Sequence, residues 1–132
     1  MDDQERYDAG TRNRRAVLGD AWVDRANSQL NDFNRDFQDF LTRYAWGDVW
    51  NRPGLDRRMR SCITLSICIA LGRWDEFRGH VRGAFNNGLT QDELKELILH
   101  AAIYAGVPAA NTAMHQAEDV IRELEQNRPG TP

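Results

Sequence analysis

Residues 90–113, TQDELKELILHAAIYAGVPAANTA, contain the signals of one complete helix and the beginning of a second. Thr90 and Glu93 have the spacing of a capping box, which opens a helix. The apolar residues that follow recur every three or four positions: Leu94, Leu97, Ile98, Ala101 and Ala105. Gly106 then ends the helix, and Pro108 suits the first turn of the next one. The stretch therefore predicts two helices whose small side chains allow close packing.

Helical periodicity of this kind extends over nearly the whole chain. It predicts further helices over residues 7–18, 33–44, 56–71 and 73–87. The segment WGDVWNRPG, residues 46–54, interrupts the pattern and is predicted to be a loop held by its two tryptophans. The helix over 56–71 is apolar on most faces, so we expect it to be central and the most buried. The predicted fold is all-α, one compact domain of about six helices over residues 1–126, followed by a frayed tail at 127–132.

The composition excludes several classes of protein. The chain has 17 basic and 20 acidic residues and a formal charge of −3, whereas a nucleic-acid-binding domain would carry a basic stripe. No apolar run approaches the ~18 residues that span a bilayer, and the polar N-terminus is unlike a signal peptide. We therefore expect a cytoplasmic protein without nucleic-acid or membrane partners. A hydrophobic fraction of 41% is low for a monomer of this size, so burial between subunits is expected. The aromatic stripe at 33–44 is expected to face the core or another subunit rather than a ligand.

The chain lacks the usual motifs for metals, cofactors and redox chemistry. Cys62 and Cys68 lie six residues apart on one predicted helix, which turns them roughly 120° from each other. They are expected to be buried thiols in a reducing compartment, because no Cys-x-x-Cys is present. His-Glu-x-x-His, paired Glu-x-x-His, Gly-rich phosphate loops and Gly-x-Ser-x-Gly are also missing. What remains is chemistry without a metal or cofactor, or no chemistry.

The three histidines each lie four residues from an acidic residue on a predicted helix. Such pairs are most often solvated surface pairs. The pair Glu76 and His80 differs, because Arg73 lies one turn before Glu76 and apolar residues on the same helix indicate close packing. A glutamate beside a histidine can fix the orientation and protonation of the imidazole. His100 is interpreted as a surface or interface residue.

Several motifs together resemble the 4-carboxymuconolactone decarboxylase family. They are Trp46-Gly-x-x-Trp50-x-Arg52-Pro53-Gly54-Leu55, Leu71-Gly72-Arg73-x-x-Glu76-Phe77-x-x-His80-Val81-Arg82, Asn86-Asn87-Gly88-Leu89-Thr90-x-x-Glu93, and residues 103–113. The resemblance runs from about Tyr7 to Val120. Related alkylhydroperoxidase D-like proteins carry Cys-x-x-Cys-x-x-x-His where this chain has Arg73, Glu76 and His80. Because both redox thiols are replaced, the resemblance favours a decarboxylase over a thiol-dependent reductase.

The resemblance implies an alkylhydroperoxidase D-like helical fold that assembles into a homotrimer or homohexamer. It also implies a carboxy-lyase that needs no cofactor and no metal, and that converts 4-carboxymuconolactone into 3-oxoadipate enol lactone and CO2 during protocatechuate degradation. An enzyme of the same scaffold that acts on another small carboxylated lactone or carbonyl acid is the alternative. A non-catalytic helical oligomer is a further alternative from a different class.

The resemblance and the spacing together suggest a catalytic pair. His80 is expected to protonate the α-carbon of the substrate after CO2 has left, and Glu76 is expected to orient the imidazole. Arg73 has two interpretations: it binds a substrate carboxylate, or it forms a structural ion pair with Glu76.

Five further residues are expected to contribute to substrate binding. Arg57 and Arg60 precede the apolar helix and are candidates for carboxylate binding, although both could be surface charges. His115 lies within the matching segment and is a candidate for the pocket. Trp46 and Trp50 are expected to cover the site and exclude water, which strengthens electrostatic interactions inside it.

Overall fold

A computed structural model describes residues 1–127, which are mostly helical and contain no strand. The helices are α1 (Asp3–Leu18), α2 (Asp20–Asn27), α3 (Arg35–Phe40), α4 (Arg57–Leu71), α5 (Trp74–Asn86), α6 (Gln91–Ala105) and α7 (Val107–Gln126), with a π-helical segment (Leu41–Val49) directly after α3. The all-α class is thus confirmed, but the described residues form seven α-helices where about six were predicted. The predicted tail at 127–132 lies outside the described residues except for Asn127, which caps α7.

The chain divides into two compact units, Met1–Arg60 and Ser61–Pro132. In the first unit, α1 packs along the π-helical segment at very close range. The Cα of Gly10 faces the backbone of Thr42, and the Cα of Gly47 faces the backbone of Arg6. A Cβ atom at either glycine would collide with a carbonyl group, so only glycine allows this approach. Glycine therefore sets the distance between the two elements.

The helix predicted over 33–44 and the loop predicted over 46–54 are both wrong in their boundaries. The helical winding runs from Arg35 to Val49 without a break, and turns follow it. Gly47 would normally favour an end to a helix. Here it lies inside the π-helical segment, where its missing side chain makes room for α1. A tertiary contact has overridden the local preference of glycine.

The aromatic stripe of this region is exposed in the single chain. Phe33 is 98% exposed, and Phe37, Phe40 and Tyr44 are all more than 40% exposed. Of the two expected environments, the core of the same chain is excluded. Contact with another subunit remains a prediction.

In the second unit, α4 to α7 enclose one apolar core. Its fully buried members include Leu65, Ile69, Phe77 and Val81. The prediction that α4 is the most buried helix is wrong for the single chain, because Ile63, Ile67 and Leu71 are exposed along one face. Asp56 caps α4 as predicted, by accepting a hydrogen bond from the Met59 amide at 2.8 Å. The Thr90–Glu93 capping box is also formed.

Arginines of α5, Arg78 above all, join this helix to α7. Arg78 donates to the Gln116 Oε1 at 2.8 Å and to the Glu123 Oε1 at 2.7 Å, and its guanidinium lies 3.7 Å from the Asp119 carboxylate. Arg78 lies two residues before His80, so this contact fixes the helix that carries the candidate histidine.

Candidate active site

Helix α5 carries the predicted catalytic pair. The helix is anchored by Phe77, Val81 and Ala84, which are fully buried, so the expectation of close packing is confirmed. His80 follows Glu76 by one turn and is partly buried, whereas Glu76 is exposed. The two side chains therefore share a helix face at the boundary between core and solvent.

The charge state of His80 reflects two opposed effects. Burial lowers the pKa of His80 below its ordinary value, and the nearby Glu76 carboxylate raises it again by a smaller amount. Desolvation is the larger effect. The imidazolium of this residue is consequently a stronger acid than that of a histidine in water.

Cys68 on α4 is a neighbour of this pair that sequence reasoning missed. Burial raises the pKa of its thiol, the Glu76 carboxylate adds to that effect, and Arg73 opposes it. The thiol is therefore neutral near pH 7, and neither Cys62 nor Cys68 forms a disulfide. The position of Cys68 beside Glu76 could not be read from spacing, because the two residues lie on different helices.

Arg73 immediately precedes α5, with its backbone amide donating to the Cys68 carbonyl at 2.9 Å. Its side chain is exposed and forms no ion pair with Glu76 within the described chain. The structural ion pair considered for these two residues is therefore not formed. The guanidinium is left accessible to a ligand.

The first unit positions Arg57 through a buried asparagine. Asn13 on α1 is 6% exposed, and its Oδ1 accepts a 2.5 Å hydrogen bond from the Arg57 Nη2. Its Nδ2 donates to the Trp46 carbonyl at 2.9 Å and to the Asn51 Oδ1 at 3.1 Å. Asn13 thus ties α1, the π-helical segment and the start of α4 together. Its role was not predicted, because an asparagine in a helix usually indicates a surface position.

The two tryptophans and Arg60 belong to the same region of the first unit. The Trp46 and Trp50 rings stack with their centroids 5.1 Å apart, and Trp46 is buried. Arg60 donates from Nη2 to the Arg52 carbonyl at 3.1 Å. The stacked tryptophans therefore lie at the end of the π-helical segment, whereas the sequence predicted that they would hold a loop.

The other two histidines are exposed. His115 lies on α7. His100 on α6 packs against the Tyr104 ring, with centroids 5.1 Å apart. No set of three or more histidine, cysteine, aspartate or glutamate side chains in the described chain is arranged to hold a metal ion.

Residues 35–119 match the carboxymuconolactone decarboxylase family. The chain belongs to this family. It is 56% identical over 124 residues to the 4-carboxymuconolactone decarboxylase of Acinetobacter baylyi. The aligned residues cover 94% of this chain and 92% of that protein. The matched region contains the whole of α5, so the family assignment and the candidate pair concern the same segment.

Two further relatives of this decarboxylase family are informative. A 4-carboxymuconolactone decarboxylase of Pseudomonas putida is 62% identical over 48 residues, which are 36% of this chain and all of that sequence. A nitrosuccinic acid decarboxylase of Metarhizium robertsii is 42% identical over 127 residues, covering 93% of this chain and 89% of that protein. None of the helices described is long and apolar enough to cross a membrane.

Proposed function

We propose that this protein decarboxylates 4-carboxymuconolactone to 3-oxoadipate enol lactone and CO2, as a step of protocatechuate degradation in the cytoplasm. One observation carries the proposal. A partly buried histidine with a glutamate one turn away lies on α5, inside the family match of a chain 56% identical to a 4-carboxymuconolactone decarboxylase.

The substrate itself can accept the electrons of the broken bond. The departing carboxylate is attached to the γ-carbon of an unsaturated lactone. When its C–C bond breaks, the electron pair moves through the C=C bond into the lactone carbonyl and forms a dienolate. The protein must then bind the remaining carboxylate, stabilise the dienolate oxygen and protonate the α-carbon. None of these steps needs a bound cofactor.

His80 is the proposed proton donor. Its imidazolium gives a proton to the α-carbon, the C=C bond moves to the β,γ position, and the neutral imidazole regains a proton from solvent. Burial makes this imidazolium more acidic, which favours transfer to carbon. Glu76 is proposed as the positioning residue, because its carboxylate favours the protonated form of His80.

The arginines are proposed to bind carboxylate rather than to assist its departure. A guanidinium that held the departing carboxylate would stabilise the ground state and slow the reaction. Arg73, whose side chain is exposed and outside any ion pair of the described chain, is a candidate for the acetate side chain of the substrate or for the developing oxyanion. Arg57 and Arg60 are further candidates, with Arg57 held in place by Asn13.

Trp46, Trp50 and His115 keep lesser proposed roles. The stacked tryptophans are proposed to shield bound substrate from water. His115 is proposed to line the pocket, supported by its position within the family match.

Assembly into a homotrimer or homohexamer is part of the same proposal. Apolar side chains are exposed along α4 at Ile63, Ile67 and Leu71, and along α6 at Leu99 and Ile103. Exposed apolar patches of this extent usually mark a contact with another protein surface. Contact between copies of this chain would cover them.

The test uses purified protein and chemically generated 4-carboxymuconolactone. We expect CO2 release together with loss of the ultraviolet absorbance of the conjugated lactone. Nitrosuccinic acid is the matched second substrate, because a relative named for its decarboxylation is 42% identical to this chain. Release of CO2 from nitrosuccinic acid but not from the lactone would contradict the proposal and favour the alternative of another small carboxylated substrate.

A further inference from the structure

Arg14 on α1 is a buried cation without an anionic partner. The residue is 7% exposed, and no other charged residue described in the structure is as buried. Its Nη1 donates one hydrogen bond, of 3.2 Å, to the Asn27 Oδ1, and its Cζ lies 5.8 Å from the centre of the Trp22 ring. No carboxylate lies within ion-pair distance of it in the described chain. A guanidinium has five N–H donors, so most of its donors remain available.

The next residue along α1 shows what an arginine with partners does here. Arg15 forms ion pairs with Asp20 at 3.1 Å and with Asp24 at 2.8 Å. These contacts raise the pKa of Arg15, whereas burial lowers the pKa of Arg14. Two adjacent arginines are thus in opposite situations, and only the buried one lacks an ion pair within the described chain. Burial of an unpaired charge is costly unless something compensates it.

Arg14 lines a cavity of about 200 Å³ that is formed wholly within the first unit. The cavity is more than ten times the ~15 Å³ that one water molecule requires. Gln38, Thr11 and Thr42 supply polar groups to its wall, while Val23 and Leu30 supply apolar surface. A buried cation, amide and hydroxyl groups, and an apolar side together suit a small organic anion.

We infer that the Arg14 cavity is a binding site for a small organic carboxylate. The planar guanidinium can hold a carboxylate through two parallel hydrogen bonds, and the apolar wall accommodates a short carbon chain. Asp39 also lines the cavity and forms no ion pair with Arg14 in the described chain. Its negative charge weakens anion binding, which gives the site a moderate affinity. The inference does not depend on the decarboxylase reaction.

Calorimetric titration of the full-length protein at low salt tests this inference, with adipate as the probe. We expect saturable binding at millimolar adipate. Arg14→Gln should abolish this binding. Arg14→Lys keeps the charge but loses the planar guanidinium, so it should weaken binding about tenfold or more. Asp39→Asn tightens it. Arg12→Gln is the matched control, because Arg12 is an exposed arginine on the same helix that does not line the cavity.

The wild-type protein gives an answer even if the Arg14 variants do not fold. In a nitrogen-15 NMR spectrum, one arginine Nε–H signal should change its chemical shift when adipate is added. The same concentration of chloride should leave that chemical shift unchanged. If adipate does not bind, or binds equally to the folded Arg14→Lys variant, the inference is overturned.

Kinetics with the lactone then show whether the bound carboxylate belongs to the substrate or product of the reaction, or to a separate effector. Competitive inhibition by adipate, with a raised KM in Arg14→Lys, would mean that the cavity receives a carboxylate of the substrate or product. Binding that leaves KM unchanged would mean that the ligand is a separate effector. Both results support the site, and the calorimetric and NMR binding measurements do not depend on turnover of the lactone.

Discussion

At the scale of single residues, His80 combines an imidazole in a partly buried position with one nearby carboxylate. Desolvation lowers the pKa of His80, and the nearby Glu76 carboxylate raises it. The pKa of His80 therefore depends on its immediate surroundings, and single substitutions can measure this dependence.

We expect His80→Gln to lower kcat by roughly 10²–10⁴, because a positioned general acid contributes about that factor. KM should change far less, since glutamine retains much of the size and polarity of histidine. His100→Gln is the control, because His100 is exposed and lies on a different helix, against the Tyr104 ring. Steady-state kinetics with the lactone measure both variants. Unchanged turnover in His80→Gln would remove this residue from the mechanism.

The pH profile tests Glu76. If the free enzyme must carry an imidazolium at His80, kcat/KM falls as the pH rises through the pKa of His80, which burial places below about 6.5. Glu76→Gln removes the carboxylate that raises this pKa, so the fall should move to lower pH. A purely structural role for Glu76 would reduce activity without moving the profile. Glu76→Asp should restore part of the shift.

At this scale, sequence reasoning found the pair but not its surroundings. The four-residue spacing of Glu76 and His80 follows from helix geometry, so it could be predicted. The burial of Asn13 and Arg14 could not, because polar residues in an amphipathic helix normally indicate the solvent face. Only the packing of α1 against later elements buries them.

At the scale of elements, the contact between α1 and the π-helical segment depends on two glycines. Helix signals with a local chemical cause, such as the Thr90–Glu93 capping box, were predicted correctly. The continuation of the winding through Gly47 was missed, because its cause is the backbone of Arg6, 41 positions earlier in the sequence. Local patterns cannot report a contact of that kind.

Gly10→Ala should destabilise the protein by about 1–3 kcal/mol, because the added methyl group meets the Thr42 carbonyl and the backbone must move. Gly79→Ala is the matched control: it is a helical glycine in α5 whose added Cβ meets no atom within 4 Å. The control should be neutral or stabilising by up to about 1 kcal/mol. Denaturant unfolding monitored by circular dichroism compares the two. Equal stability of both variants would mean that the close approach of α1 is not required.

At the scale of the whole molecule, the distribution of apolar surface is uneven. Ile103 and Tyr104 are each more than 75% exposed on α6, while the core of the second unit is closed by residues with no exposed surface. The sequence predicted subunit contacts from composition and from the family resemblance. It could not indicate which apolar residues face outward, since periodicity defines a stripe and not what covers it.

We expect the purified protein to have a mass several times that of the 15.2 kDa chain in light scattering. Ile103→Glu should shift it toward smaller species, because a buried unpaired carboxylate is unfavourable at an interface. Gln91→Glu adds the same charge at an exposed polar position on the same helix and should leave the mass unchanged. A wild-type monomer, or an unchanged assembly of Ile103→Glu, would contradict the proposed interface.

The π-helical segment, residues 41–49, has a consequence for length variation among related chains. A π-helical turn accommodates one residue more than an α-helical turn between the same hydrogen-bonded groups. Loss of one residue there would restore ordinary α-helical pairing and would rotate the residues downstream very little about the axis. Related chains that are one residue shorter in this segment should therefore keep the fold, with an α-helical turn in place of the π-helical one.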